Sequence, residues 1–144
     1  MNIIVRDPMP GEEESIVFSL RSIPPHVAQI ISSLQSPRQI TVFQDKNVMT
    51  LSVADILYVE SVDLKTFIYT ERDMYQTKQK LYEVEKELSE YEFLRINRQV
   101  IVNIKKIKSI SPAGGGRFQA LLTNNEKVII SRQNVSALKE VFGL

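Results

Sequence analysis

FLRINRQVIVNIKKIKSI, residues Phe93 to Ile110, decides the fold class of this chain. It holds three short apolar runs, Phe93–Ile96, Val100–Val102 and Ile107–Ile110, separated by polar residues. Runs this short, rich in Ile and Val and broken by turn chemistry, form strands rather than helices. The same texture extends upstream. Gln39–Phe43 alternates, Asp45-Lys46-Asn47 supplies a turn, and Val48–Leu51 and Ile56–Glu60 follow. Thr66–Thr70 lies beyond a polar Ser61–Lys65 connection, and Asp73–Thr77 is a further strand. Downstream, Pro112 to Gly116 reads as a flexible hairpin tip. Phe118–Thr123 and Lys127–Ser131 then pair across Asn124-Asn125, residues that accept the positive φ of a tight turn.

Helices are few. Leu81, Val84 and Leu88 sit at i, i+3 and i+7, with Lys80, Glu83, Lys86, Glu87 and Glu90 on the other face. Asn134 is expected to cap a last helix with Val135, Leu138 and Phe142 on one face, and Gly143 stops it. The predicted class is mainly β with short helices, α+β overall.

Residues 1–39 read as an extension, and residues 40–144 as the domain proper. Ile3–Arg6 and Ile16–Leu20 are expected as short strands around an exposed, acidic Met9–Ser15 loop. Pro24-Pro25 suits a helix start. Val27, Ile30, Ile31 and Leu34 then mark one apolar face of a helix ending near Gln35. That face, with Ile3–Val5 as an edge strand, points to self-association, hence a homodimer.

The chain of 144 residues has no cysteine and one histidine, which leaves no residues for a thiolate metal site or a Cys/His nucleophile pair. His26, between Pro25 and Val27, is expected to be structural or solvent-facing. Glu60 with Asp63 is the best carboxylate pair for a metal, and solvated strand-end charges are the commoner meaning of such a pair. Gly114-Gly115-Gly116 lacks the Lys-Ser/Thr that a phosphate loop requires. Neither an enzyme, a cofactor nor a small-molecule substrate is expected. The acidic start carries no secretory pattern and no run is as long as a membrane span, so a cytoplasmic location is expected.

Charge is the strongest functional signal. The first 92 residues hold 9 Lys and Arg against 15 Asp and Glu, a balance of −6, while the last 52 hold 9 against 2, a balance of +7. From Phe93 to Asn125 there are six basic residues and no carboxylate. A basic half suggests the footprint of a polyanion-binding surface, nucleic acid first, or else a solvated surface with acidic partners folded against it. The other functional reading is an interaction module whose basic face meets an acidic protein or an anionic membrane.

The apolar pattern breaks at Asn97-Arg98-Gln99, which places these residues on a loop or strand edge. They are the types that recognise base edges: Arg pairs with guanine, and Asn or Gln with adenine. Lys105, Lys106 and Lys108 suit the backbone, since a flexible ammonium acts on phosphate as a point charge, and Arg95 is expected as a further backbone or groove contact. A second polar group, Ser131-Arg132-Gln133-Asn134, marks the entry to the last helix, whose free amides suit a phosphate.

Phe93-Leu94-Arg95-Ile96-Asn97-Arg98-Gln99 followed by Val100-Ile101-Val102-Asn103 resembles the central motif of the LytTR family of bacterial DNA-binding domains. Asp55 to Ser61 is similar to the family's opening strand. The Leu81–Leu88 helix, the Ile107–Ile110 strand and the Asn125–Ser131 segment match in order and spacing. The resemblance implies an elongated antiparallel β-fold that puts loops into successive major grooves. It places contacts at Lys65 and Thr66, at Asn97 and Arg98, and at Arg132 and Gln133. Asn97 stands where many members have His, and Gln99 where Ser is usual. With 39 residues before the match, the likeness is to stand-alone members without a receiver. For these, the resemblance implies control by a neighbouring membrane protein.

Overall fold

The computed structural model describes residues 2–35 and 38–144. It falls into two compact units, Met1–Ser36 and Pro37–Leu144.

In the first unit the helix forms as expected: α1 spans Pro25–Gln35, opened by the Val27 and Ala28 amides, both of which donate to the Pro24 carbonyl at 3.0 Å. Only Val27 of its apolar residues is fully buried; Ile30 and Leu34 are about half exposed. The two expected strands, Ile3–Arg6 and Ile16–Leu20, do not form. A β-branched run needs a neighbouring strand to satisfy its backbone, and neither run has one. A turn at Pro10-Gly11 is fastened instead by Glu12, whose carboxylate takes both Arg6 guanidinium nitrogens at 2.8 Å and the Met9 amide at 2.9 Å.

The described residues of the second unit hold ten strands. These are β1 Gln39–Gln44, β2 Asn47–Ser52, β3 Tyr58–Val62, β4 Lys65–Tyr69 and β5 Met74–Thr77, then β6 Phe93–Arg95, β7 Val100–Asn103, β8 Ile107–Gly114, β9 Arg117–Leu122 and β10 Lys127–Ile130. Two short helices, α2 Leu81–Glu87 and α3 Val135–Val141, complete it. One antiparallel sheet runs β2-β1-β5-β4-β3-β7-β6, and a second runs β10-β9-β8.

Two cores share the central strands. Val59 of β3 and Ile101 of β7 join Ile40, Val42, Ile56 and Ile68 in a cluster sealed by Leu81, Val84 and Leu88 of α2 and its end. Tyr58, Val100 and Val102, which alternate with them, join Leu57, Ile96, Ala120, Leu122 and Ile130 in a cluster sealed by Val135 and Leu138 of α3. Side chains along a strand point alternately to opposite faces. The unbroken Val100-Ile101-Val102 run is therefore the signature of a strand covered on both sides. Each such side chain contributes about 1.5–3 kcal/mol.

Tertiary pairing moves several boundaries. The opening strand starts at Tyr58 and not Ile56, because Val53–Asp55 forms a single 3-10 turn. The Ser61–Lys65 connection shrinks to Asp63-Leu64, since Ser61 and Val62 pair with Thr66 and Lys65. Both turn residues have positive φ, 49° and 65°, the geometry that matches the twist of a two-residue hairpin. β8 runs through Pro112, which pairs opposite Phe118, and only Gly115-Gly116 remains as the tip. Proline is tolerated there because β8 is an edge strand with a register break beside it. Asn134 does not cap α3 with its side chain; it donates to the Ser131 hydroxyl at 2.6 Å, within an intervening 3-10 turn Arg132–Asn134.

Candidate nucleic-acid interface

The site begins with the three residues between β6 and β7. The Asn97 side-chain oxygen accepts from the Gln99 amide at 2.8 Å, a local turn that asparagine forms readily. Its amide nitrogen donates to the Ile129 carbonyl on β10 at 3.0 Å. The Arg95 guanidinium folds over the same loop, with Nε on the Asn97 carbonyl at 3.0 Å and Nη2 on the Arg98 carbonyl at 2.6 Å. Its remaining nitrogen faces Glu85 at 3.5 Å. Main-chain bonds complete the frame: Ser61 donates to the Gln99 carbonyl and Ser131 to the Ile96 carbonyl, each at 2.8 Å.

This frame leaves Arg98 and Gln99 exposed on a backbone that is held from both sides. Those bonds bring two further tips, and strand pairing a third, to the same end of the unit. Ser61 carries the β3–β4 hairpin with exposed Lys65, and Ser131 leads into exposed Arg132 and Gln133. Because Phe118 pairs with Ile130, the β8–β9 tip with exposed Arg117 lies there too. Gly116 of that tip passes directly beneath the Arg132 stem.

The structure separates other residues that the basic run had grouped. Lys105 and Lys106 follow β7 and so lie at its opposite end, roughly 13 Å away at about 3.3 Å per residue. Lys106 lines a shallow cleft with Asp55, Glu71, Arg72 and Asp73. Lys108 donates to the Asn125 side chain at 3.0 Å. Thr66 requires correction as a groove contact. It is 3% exposed and paired between Ser61 and Thr77, so it offers no surface to a ligand. Arg95 and Asn97 are committed to the loop itself. Arg117, a basic residue of the acid-free run that was not singled out as a contact, joins this end only through the pairing of β9 with β10.

Other candidates stay isolated. His26 is exposed in the first turn of α1. Among the described residues no group of three or more His, Cys, Asp or Glu is placed to hold a metal ion. Glu60 lies beside Tyr69, whose phenol is pushed up by burial and by that carboxylate.

A model of the LytTr DNA-binding domain matches residues 46–143. The chain belongs to the LytTR family. Sensory transduction protein LytT of Bacillus cereus is 31% identical over 97 residues, 67% of this chain and 39% of that protein. Transcriptional regulatory protein YpdB of Escherichia coli K12 is 27% identical over 106 residues, 73% of this chain and 43% of that protein. The chain thus spans about two-fifths of the length of these relatives. A solved LytTr DNA-binding domain from Bacillus cereus, described as part of a methyl-accepting/DNA response regulator, superposes with a TM-score of 0.69 at 27% identity. It covers 74% of this chain and 97% of that one. The LytTR fold of this chain is therefore mainly antiparallel β with short helices, and residues 46–143 are the part that matches the DNA-binding domain.

Proposed function

We propose that this LytTR protein is a sequence-specific regulator of transcription that reads duplex DNA through the end of the unit where Arg98 is presented. Arg98 and Gln99 serve as base readers, with Gln133 beside them. Lys65, Arg117 and Arg132 serve as phosphate anchors. Asn97 and Arg95 act one step back, holding the loop that carries the readers. The observation that supports this division is the convergence of four exposed cations, on four separate tips, around a loop fixed by main-chain bonds. Preformed loops lose little conformational freedom on binding, so more of the contact energy remains as affinity.

Two further elements of the proposal rest on other features. The exposed apolar residues of the extension, among them Ile3, Ile4, Val5 and Val17, favour a homodimer, which sedimentation of the full chain would detect. Action in the cytoplasm fits a DNA ligand; no described helix is long and apolar enough to cross a membrane. A membrane-protein regulator is supported by the family resemblance alone.

The deciding experiment is selection of bound duplexes from a random pool, followed by titration at several salt concentrations. An enriched motif is expected, with log K falling against log salt at a slope on the order of −3 for three phosphate anchors. Binding that ignores sequence at every salt concentration would instead support an interaction module with an acidic partner.

A further inference from the structure

The tip of the β3–β4 hairpin carries a leucine where leucine is a poor choice. Asp63 and Leu64 are the two central residues of the turn, with φ of 49° and 65°. Asp tolerates the left-handed region because its short polar side chain bonds locally, whereas Leu gains nothing there. Glycine or asparagine is the usual occupant of the second position. Nor does packing within the chain compensate, since Leu64 is fully exposed at 102%. Val62, two residues earlier, is also exposed, at 41%. A side chain that strains its own turn and touches nothing is accounted for by a contact outside the chain.

Its surroundings say what kind of contact. The Ser61 amide ties this hairpin to the Gln99 carbonyl at 2.8 Å, beside Arg98, and Lys65 follows Leu64 directly. Asp63 is the single carboxylate from Ser61 to Thr66. The surface met by Leu64 must therefore suit cations and still offer an apolar group. The major groove of duplex DNA does both, because thymine presents its 5-methyl group at the base edge between the phosphate rows. We propose that Leu64 is a specificity-determining residue that packs on thymine 5-methyl groups. The inference rests on the DNA reading above and assigns it an apolar component.

The test uses the full chain and a duplex that it has itself selected from a random pool. Each thymine of that duplex is replaced in turn by deoxyuridine, which removes only the methyl group. The unaltered chain is expected to lose about 4-fold in affinity at one or two positions, the worth of one buried methyl. Leu64→Gly, which suits the positive φ, is expected to keep or raise the melting temperature, to bind the thymine duplex more weakly, and to become indifferent to the same replacements. Leu64→Asn, also compatible with the turn, should behave alike. Equal affinity of both variants and the unaltered chain would overturn the assignment. So would a variant that stays sensitive at the same thymines, since another residue would then read the methyl. In both cases the selected motif would leave the DNA reading standing. Failure of the unaltered chain to select any motif would overturn both.

Discussion

A Cβ placed on Gly116 would lie 3.0 Å from Cδ and 3.1 Å from Cγ of Arg132. The glycine at the β8–β9 tip is thus the floor on which the aliphatic stem of a proposed phosphate anchor rests. Its φ of 79° adds a second reason for glycine. Gly116→Ala is expected to weaken DNA binding by dislodging Arg132, beyond a backbone cost of roughly 1–2 kcal/mol to folding. In an Arg132→Ala background the same change should cost almost no affinity, so a double-mutant cycle isolates the coupling. Additive losses would show that Gly116 acts independently of Arg132.

Arg98 and the anchors should separate by sequence dependence. Arg98→Ala is expected to cost about 1–3 kcal/mol at the selected site and much less on a scrambled duplex. Lys65→Ala or Arg117→Ala should weaken both duplexes alike and make the salt slope shallower by about 1 each. Lys106→Ala, beside Asp55 and Glu71, should leave the slope unchanged. A change there would put the opposite end of β7 on DNA as well.

Asn97 is expected to behave as a structural residue. Asn97→Ala removes the turn bond to Gln99 and the strut to Ile129, and should cost about 1–3 kcal/mol in denaturant unfolding. Asn97→Asp retains the acceptor for the Gln99 amide, loses the donor to Ile129, and should fall between. Full stability together with lost base preference would make Asn97 a direct reader.

Alkaline pH should destabilise the fold through Tyr58. Its hydroxyl donates to Glu126 at 2.8 Å, and its ring stacks on Tyr69 with centroids 4.4 Å apart. Burial, then the hydrogen bond to the Glu126 carboxylate, raises its pKa above the ordinary 10.0. A raised folded pKa means that the neutral phenol is the stabilised form. Its contribution is complete below pH 10 and is lost progressively as pH rises beyond that value. Melting temperatures measured from pH 8 to 11 should therefore fall above pH 10. Tyr58→Phe should cost about 1–2 kcal/mol at neutral pH and flatten that fall.

The amino-acid sequence alone determined most elements of the second unit and the charge character of its surface. Alternation marks β1, short β-branched and aromatic runs bounded by turn residues mark β2, β4 and β5, and the Leu81, Val84, Leu88 spacing marks α2, because these patterns depend only on near neighbours. The break at Arg98-Gln99 and the missing carboxylates after Phe93 are equally local, and they mark the loop that joins β6 to β7. Tertiary structure decided which tips share an end. Asn97 is spent on Ile129, 32 residues away, and Thr66 is buried between two strands. Arg117 shares an end of the unit with Arg132 only because β9 pairs with β10, while Lys106 is carried to the far end of β7. Register and strand order arise from packing between distant segments, and a shift of one residue exchanges the exposed and buried faces of a strand. The identity of the cations was therefore legible in the chain, whereas their division between two ends was a property of the folded sheet.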